Sequence, residues 1–191
     1  TSYKIYLYIS SNKYYINKYM GNVSSVKELY SHKQIQDRIV NMAAEMTLNY
    51  KDDDELVVIC LLKGGFMFTA DLVRLIIRKV YMDFMTVSSY GNELETSGMI
   101  DIKQDITMDI EGKNVILIDD IVDSGLTMNA IVDHLKLKNP KEIKTCCLLH
   151  KRKTDVHVDF VGFECPDKFV VGYGMDAAEE YRNLPFIGIL K

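Results

Sequence analysis

The stretch that decides the fold runs from Val115 to Met128 and reads VILIDDIVDSGLTM. It opens with four consecutive apolar residues, Val115 to Ile118, and two acids, Asp119 and Asp120, follow at once. An unbroken apolar run of this length is typical of a strand covered on both faces of a parallel sheet. We expect the acids at the carboxyl end of that strand, where open α/β sheets bind ligands. Because neighbouring strand side chains point to opposite faces, both acids reach one site only if the backbone bends there.

A small, hydroxyl-bearing turn follows the acids and leads into a helix. The turn comprises Asp123, Ser124, Gly125, Leu126 and Thr127, and apolar residues then recur at helical spacing until Asn139 and Pro140. Gly125 permits a tight backbone, and the free N–H groups at a helix start carry the positive end of the helix dipole. The hydroxyls of Ser124 and Thr127 add donors, whereas Leu126 offers only its backbone N–H. Together these groups describe a cradle for an anion such as a phosphate.

Two interpretations of this loop are open from the residues alone. It is either an ordinary strand-to-helix connection whose aspartate caps the helix, or a site for a ligand with both a diol and a phosphate. The second interpretation follows because carboxylates accept hydrogen bonds from hydroxyls while the turn donates to phosphate oxygens; ribose 5-phosphate is such a ligand. The loop matches neither a Walker sequence nor the glycine-rich dinucleotide fingerprint.

Strands and helices alternate through the rest of the chain. A capping box at Ser31 and Gln34 begins a helix whose core face comprises Ile35, Ile39, Met42, Ala43 and Met46. Leu56 to Leu62 is a predicted strand, and Gly64-Gly65 turns it into a helix with an apolar stripe of Phe68, Leu72, Leu75 and Ile76. Further strands are predicted near residues 81–87, 143–149, 156–163 and 169–171. The alternation predicts an α/β fold with a mainly parallel twisted sheet flanked by helices.

Two segments lack this alternation. The polar stretch from Ser88 to Asp109 is long for a connection without its own structure, and we interpret it as a mobile lid loop. Residues 1–27 are rich in Tyr, Asn, Lys and Ser, and we treat them as an N-terminal extension to a single domain over residues 28–191. Ile5, Leu7 and Ile9 alternate with tyrosines, so this extension is either a strand that pairs with an edge or a partner subunit, or an untethered tail.

Composition narrows the class of protein. A chain of 191 residues with 48% hydrophobic and 26% charged residues is typical of a soluble globular domain. The net charge of −4 gives no general attraction for nucleic acid, and the one tight basic cluster, Lys151 to Lys153, is interpreted as a solvated loop. The four cysteines show no metal-binding spacing and three lie in apolar runs, which favours a reducing cytoplasm. No apolar run approaches the ~20 residues of a membrane span, and no secretory signal is evident.

The chain resembles the type I phosphoribosyltransferases, and within them the hypoxanthine-guanine branch. The acid pair and the Asp-Ser-Gly-x-Thr loop carry the signature of the family. Four further motifs, two before this loop and two after it, occur in the order of that branch. These motifs are Leu62 to Gly65, Ser88 to Gly91, Leu149 to Arg152, and Pro166 to Gly174 with Asp176 and Tyr181 to Pro185. The resemblance covers residues 28–191, and it implies that family's fold with a small hood region.

The resemblance implies transfer of a phosphoribosyl group from phosphoribosyl pyrophosphate to hypoxanthine or guanine, with magnesium as the cofactor. Asp119 and Asp120 would hold the ribose hydroxyls or coordinate magnesium, and the turn from Asp123 to Thr127 would bind the 5-phosphate. The family's pyrophosphate contacts fall on Lys63, Gly64 and Arg182, often with a cis peptide bond before the lysine. Asp176 would lie near a second magnesium ion and the purine, and Ser89 and Tyr90 would form the lid tip.

For the purine, the resemblance assigns Lys151 to the oxygen at C6, Phe169 to stacking and the Val170 backbone to the other edge of the ring. Asp123 is the candidate general base near N7. Each role has a structural alternative: Asp123 as the helix cap, Phe169 and Val170 as strand core, and Asp176 and Arg182 as surface charges. Whether xanthine is also a substrate stays open, since this depends on how the pocket contacts the oxygen at C2 of the purine.

Two other functions compete with this one. A regulator with the same fold would bind nucleotide or nucleic acid without turnover, but the acidic balance disfavours it. An adenine or pyrimidine enzyme is disfavoured by Lys151. We expect small-molecule substrates, no membrane or nucleic-acid partner, and a homodimer or homotetramer, since the family usually self-associates.

Overall fold

A six-stranded sheet forms the centre of the computed structural model. The structure describes residues 25–89, 100–153 and 156–191. Its elements, in chain order, are β1 (Val26–Tyr30), α1 (His32–Asn49), β2 (Glu55–Leu62), α2 (Phe66–Val73), β3 (Lys79–Ser89), β4 (Ile100–Gln104), β5 (Asn114–Val122), α3 (Leu126–Lys136), β6 (Glu142–Lys151), β7 (Phe160–Cys165), β8 (Val170–Val171) and β9 (Ile187–Leu190). The strand order of the main sheet is β4-β3-β2-β5-β6-β7. All neighbours in this sheet are parallel except β3 and β4. The predicted α/β class is therefore confirmed.

Alternate residues of the central strands enter two separate cores. In β5, Ile116 and Ile118 pack on the same side of the sheet as α1 and α2, whereas Val115 and Leu117 pack on the side of α3. All four are fully buried. Both faces of the strand are covered, which is why its sequence shows a continuous apolar run rather than an alternating one.

Helix α1 begins where the capping box predicts. The Gln34 backbone N–H donates to Ser31 Oγ at 3.3 Å, and the Ser31 N–H donates to the Gln34 side-chain oxygen at 3.0 Å. All five residues predicted for its core face are at most 1% exposed. A single helical stripe therefore covers one face of the sheet.

Helix α2 is shorter than its apolar pattern suggested. Phe68 and Leu72 are fully buried, but the helix ends at Val73 and Leu75 is 41% exposed. The prediction that Leu75 belongs to the core stripe was therefore wrong. Ile76 returns to the core in the connection to β3, with 7% exposed.

Strand β4 lies inside the segment interpreted as an unstructured connection. It pairs antiparallel with β3, and Ile100 and Ile102 pack on the α3 side of the sheet. The alternation of these two isoleucines with Asp101 and Lys103 is a strand pattern that the sequence interpretation missed. Ser89 ends β3, while Tyr90 and the rest of the predicted lid tip lie outside the described residues, as does the pattern at Ile5 to Ile9.

A small antiparallel sheet, order β1-β9-β8, forms beside the main one. It corresponds to the expected hood, although β1 and β9 were not predicted from sequence. Strand β9 pairs with β1 on one edge and with β8 on the other. Strands β1 and β9, at the two ends of the described residues, therefore hold the short β8 in this second sheet.

The four cysteines are buried free thiols, as three of them were predicted to be. Burial raises the pKa of the Cys60 thiol to about 11, so the thiol stays protonated and acts as a small apolar group. Within the described residues, no helix is long and apolar enough to span a membrane.

Candidate active site

The acid pair lies within β5 rather than after it. The strand continues to Val122, so the expected bend directly at the acids is not observed. Asp119 lines a cavity with the following turn, whereas Asp120 lies against Gly64, where an added Cβ would be 1.8 Å from Asp120 Oδ2. The two side chains therefore have different outer neighbours, although the carboxylates lie close enough for the charge of Asp120 to act on Asp119.

Both acids are poorly hydrated. Burial raises the pKa of Asp119 well above its ordinary value, and the charge of Asp120 raises it further. Burial also raises the pKa of Asp120, against hydrogen bonds and the nearby charge of Arg182, which lower it. Two desolvated carboxylates side by side form a site that a cation or hydroxyl donors would stabilise.

The turn after β5 contains a glycine in the left-handed region immediately before α3. Gly125 has a φ of 78° and is the cap residue of α3, with no side-chain cap. Its Cα lies against Val156, so an added Cβ would be 2.2 Å from that side chain. Ser124, Gly125 and Thr127 line a cavity of about 110 Å³ with Asp119 and Asp123. The turn, the start of α3 and one of the two acids thus share one concave site.

Asp123 does not cap the helix, so that structural alternative is wrong. Its Oδ2 accepts from Lys151 Nζ at 2.6 Å, and its Oδ1 lies 3.0 Å from Lys153 Nζ. Burial acts to raise the pKa of Asp123, but hydrogen bonds from both lysines outweigh it and lower that pKa. Asp123 is therefore an ionised acceptor at neutral pH.

Lys151 is buried rather than part of a solvated basic loop. The residue is 8% exposed at the end of β6, although Lys153 two residues later is half-exposed. A buried ammonium group needs a carboxylate partner, which Asp123 provides. The basic cluster at Lys151 to Lys153 therefore contains one buried donor, Lys151, and one accessible donor, Lys153.

The loop between β2 and α2 lies beside the acid pair of β5, because its Gly64 packs against Asp120. The peptide bond between Leu62 and Lys63 is cis, the feature that sequence alone left undetermined. Lys63 Nζ forms an ion pair with Glu179 at 3.1 Å. Gly174, with a φ of 102°, lies so close to Gly64 that an added Cβ would be 2.2 Å from the Gly64 carbonyl oxygen. Glycines at both positions let the two loops pack in direct backbone contact.

Arg182 is held in the loop between β8 and β9 rather than as a free surface charge. Its Nη1 donates to the Gly174 carbonyl oxygen at 2.8 Å, and its Nη2 pairs with Asp176 at 2.8 Å and with Glu179 at 3.4 Å. Glu179 therefore contacts both predicted pyrophosphate cations, Lys63 and Arg182. Its role was not predicted, since a glutamate in a turn carries no signal of such contacts.

Asp176 does not join the acid pair in one metal cage. Its Oδ1 contacts Arg182, and its Oδ2 accepts from the Glu179 backbone N–H at 2.8 Å. Across the described parts of the chain, no three His, Cys, Asp or Glu side chains are placed to share a metal ion. The acid pair and Asp176 are thus two separate carboxylate positions.

The predicted purine residues differ in burial. Phe169 is 58% exposed, whereas Val170 is 7% exposed in β8. The structural alternative, core packing, therefore fails for Phe169 and holds for the Val170 side chain. The Phe169 carbonyl oxygen accepts from the Leu190 N–H at 3.0 Å, which fixes the backbone and leaves the ring accessible.

Comparisons with known proteins agree with this geometry. A family model described as the phosphoribosyl transferase domain matches residues 25–178. A hypoxanthine-guanine phosphoribosyltransferase of Aquifex aeolicus is 52% identical over 163 residues, which cover 84% of this chain and 92% of the relative. One of Bacillus subtilis is 48% identical over 168 residues, covering 86% and 93%.

The solved structures give the same result. A hypoxanthine-guanine phosphoribosyltransferase of Bacillus anthracis superimposes with a TM-score of 0.83 at 45% identity, over 86% of this chain and 98% of that one. Its fold and the sequence relatives agree on one family. The chain belongs to the phosphoribosyltransferase family, in the branch of the hypoxanthine-guanine enzymes.

Proposed function

We propose that this chain transfers the phosphoribosyl group from phosphoribosyl pyrophosphate to hypoxanthine or guanine, releasing pyrophosphate and forming the purine nucleotide. One observation carries the proposal. Asp119 and the anion-cradling turn line a single cavity, and the ionised Asp123 in that lining is bonded to a buried lysine. This arrangement combines acceptors for sugar hydroxyls, donors for a phosphate, and an acceptor–donor pair for a base.

The donor binds along the β5–α3 connection. Asp119 and Asp120 accept hydrogen bonds from the ribose hydroxyls. The turn binds the 5-phosphate through the backbone N–H groups of Ser124, Gly125, Leu126 and Thr127, and the Ser124 and Thr127 hydroxyls also donate. The glycine at position 125 supports this role, because its left-handed φ gives a tight turn whose residues line the cavity at the start of α3. The side chain of Leu126 is half-exposed and is not needed for binding.

The leaving pyrophosphate is bound by Lys63, the Gly64 backbone and Arg182. The two cations share Glu179 and occupy facing loops, so an incoming pyrophosphate replaces one carboxylate with several oxygen acceptors. Fixed positive groups at the departing oxygens stabilise the negative charge that builds there in the transition state. Neither loop has to move far, because Gly64 and Gly174 already pack together.

Magnesium fits the carboxylates present. Mg²⁺ is commonly held by one or two carboxylates, water and substrate phosphates rather than by a full protein cage. The desolvated Asp119 and Asp120 match that pattern, and Asp176 offers a second position beside Arg182. When bound, the ion supplies positive charge at the pyrophosphate oxygens.

Asp123 and Lys151 recognise adjacent atoms of the purine. The proton leaves N7 as the bond forms at N9, and the ionised Asp123 is suited to accept it. Lys151 donates to the oxygen at C6 while it keeps its contact with Asp123, because an ammonium group has three donors. Adenine carries an amino group at C6 and cannot accept this bond. The exposed ring of Phe169 stacks on the base.

The deciding experiment compares initial rates with hypoxanthine, guanine, xanthine and adenine at saturating phosphoribosyl pyrophosphate and magnesium. We expect turnover of hypoxanthine and guanine, little with adenine, and none after chelation of magnesium until it is restored. The xanthine rate defines how the pocket treats the oxygen at C2. Tight RNA or DNA binding without any turnover would instead support a regulator and contradict the proposal.

We also propose that residues 28–191 act as one domain with residues 1–27 as an extension, in the cytoplasm and as a homodimer or homotetramer. Four unpaired buried thiols support a reducing compartment. Light scattering with and without residues 1–27 tests both the assembly and the role of the extension. A monomer at working concentration would contradict the proposed assembly.

A further inference from the structure

Four charged side chains form a closed ring at the proposed purine position. Lys151 Nζ lies 2.6 Å from Asp123 Oδ2 and 3.5 Å from Asp167 Oδ1. Lys153 Nζ lies 3.0 Å from Asp123 Oδ1 and 3.0 Å from Asp167 Oδ1. The ring joins the end of β5, the end of β6 and the loop before β8. Neither Lys153 nor Asp167 has a role in the function proposed above.

The two lysines differ in how firmly they are held. The side chain of Lys151 is 10% exposed, whereas that of Lys153 is 48% exposed. Hydrogen bonding to Asp167 raises the pKa of Lys153 more than its hydrogen bond to Asp123 does. Conversely, the pKa of Asp123 is lowered more by Lys151 than by Lys153. Lys153 is thus the more accessible lysine, and its ammonium group lies 3.0 Å from each aspartate, so it can release Asp123 while it keeps its contact with Asp167.

Purine binding and this ring compete for the same atoms, if the proposed function is correct. Both oxygens of Asp123 already accept from lysines, and the purine N7–H needs one of them. Lys151 can keep Oδ2 while it donates to the base. Lys153 has no partner on the base, so Oδ1 is the oxygen that becomes available when its ammonium group moves.

We propose that Lys153 is a positioning residue that holds Asp123 in the free enzyme and yields Oδ1 to the purine, while Asp167 retains the displaced ammonium group. Asp167 suits this role because it already contacts the same nitrogen and is itself accessible to water. The exchange keeps the positive charge near Asp123 throughout. Lys153 and Asp167 therefore set the affinity for the base without contacting the ribose or its phosphates.

Two substitutions at this one ion pair have opposite predicted effects. Lys153→Met removes the competitor for Asp123, so the KM for hypoxanthine falls by about two- to five-fold, the range of a half-exposed ion pair. Asp167→Asn removes the alternative partner and leaves Lys153 on Asp123, so the KM rises by a similar factor of about two to five. Lys153→Arg keeps a positive group that can contact both aspartates, so its KM for hypoxanthine stays at the wild-type value. The KM for phosphoribosyl pyrophosphate stays unchanged in all three variants.

The opposite signs separate positioning from loop stabilisation. A pair that only stabilised the loop would change the KM in the same direction in both variants, because both remove the same contact. That result, or an unchanged KM for hypoxanthine, overturns the inference while wild-type turnover leaves the proposed function intact. Lys136→Met and Asp133→Asn are matched controls, because they break an exposed 3.0 Å ion pair on α3. An inactive wild-type enzyme would contradict the proposed function and this inference with it.

Discussion

Asp123 illustrates how one residue acquires its role from distant partners. Its position before a helix suggests a cap, yet its two oxygens accept from Lys151 and Lys153, which follow about thirty residues later in the chain. Hydrogen bonds from these lysines lower the pKa of Asp123 and keep its carboxylate ionised in the lining of the cavity. The general-base role proposed for Asp123 depends on that arrangement.

Replacement of Asp123 by asparagine tests the assigned role directly. Asparagine keeps the size of the side chain but accepts a proton poorly, so we expect kcat to fall by about 10²- to 10⁴-fold, the usual contribution of a general base. Donor affinity, measured by titration with phosphoribosyl pyrophosphate, should change little. Asp133→Asn on the exposed face of α3 is the control, and wild-type turnover in Asp123→Asn would remove Asp123 as the base.

The turn that begins α3 depends on a glycine at one position. Gly125 and Gly112 both have a positive φ, 78° and 67°, but Gly125 packs against Val156 whereas a Cβ at Gly112 would meet nothing within 4 Å. An alanine at position 112 therefore has only the conformational cost of a positive φ. An alanine at position 125 has that cost and a steric clash with Val156.

Alanine at the two glycines should consequently have different effects. Gly112→Ala is expected to lower the free energy of unfolding by about 1–2 kcal/mol, the cost of a left-handed residue, with activity retained. Gly125→Ala adds the overlap with Val156, so it should destabilise more and also weaken binding of phosphoribosyl pyrophosphate. Urea denaturation and a donor titration measure the two effects. Equal behaviour of both variants would exclude a special role for the turn at Gly125.

A buried polar cluster connects the helices to the loop that carries Arg182. The Tyr173 hydroxyl donates to Asp71 of α2, and the Gln36 amide of α1 donates to Asp71 at 3.1 Å and to the Tyr173 oxygen at 3.2 Å. Burial and the charge of Asp71 raise the pKa of Tyr173, so its hydroxyl remains a donor. The next residue, Gly174, contacts Gly64, so the cluster lies next to the contact between the two loops that we propose to bind pyrophosphate.

Removal of the Tyr173 hydroxyl should therefore affect both stability and donor binding. Tyr173→Phe leaves Asp71 short of a partner, so we expect a loss of about 1–3 kcal/mol in the free energy of unfolding and a higher KM for phosphoribosyl pyrophosphate. Tyr50→Phe is a matched control, because the buried Tyr50 hydroxyl has no hydrogen-bond partner in the described residues. A stability loss in Tyr173→Phe without any change in this KM would show that the cluster does not position the loops.

At the scale of the whole molecule, the site depends on a sheet that both layers of helices hold in place. Strands β2 and β5 supply the Lys63 loop and the acid pair, and each sends alternate residues into both cores. Helix α1 covers one face through a stripe of five buried residues. Its contribution is to global stability rather than to chemistry, because the stripe consists only of apolar side chains that pack in the core.

Neighbouring residues of α1 test this separation. Ile39 is fully buried and Val40 is 54% exposed. We expect Ile39→Ala to lower the free energy of unfolding by about 2–5 kcal/mol, as large-to-small core changes do, and Val40→Ala to change it by less than about 0.5 kcal/mol. Below the melting temperature of Ile39→Ala, kcat should match the wild type, measured with hypoxanthine. A selective loss of kcat in the folded variant would contradict the separation.

Local patterns were sufficient wherever a residue's environment followed from its own periodicity. The apolar run of β5, the capping box and core face of α1, and the glycine turn before α3 were all read correctly, because strand alternation and helix spacing are properties of consecutive residues. The same reasoning failed at element ends. The acids lie inside β5 because this strand pairs with β6 as far as Val122. Leu75 lies beyond the end of α2 at Val73.

The amino-acid sequence by itself determined the α/β class, the acid pair and the glycine turn before α3, because strand runs, helix spacing and turn residues are patterns of neighbouring residues. Only the tertiary structure decided that Lys151 and Lys153 hold Asp123, that Glu179 joins Lys63 to Arg182, and that β1 and β9 pair across the whole chain. These contacts join residues far apart in sequence. Their partners are selected by the packing of the sheet and its loops, and no local periodicity records that choice.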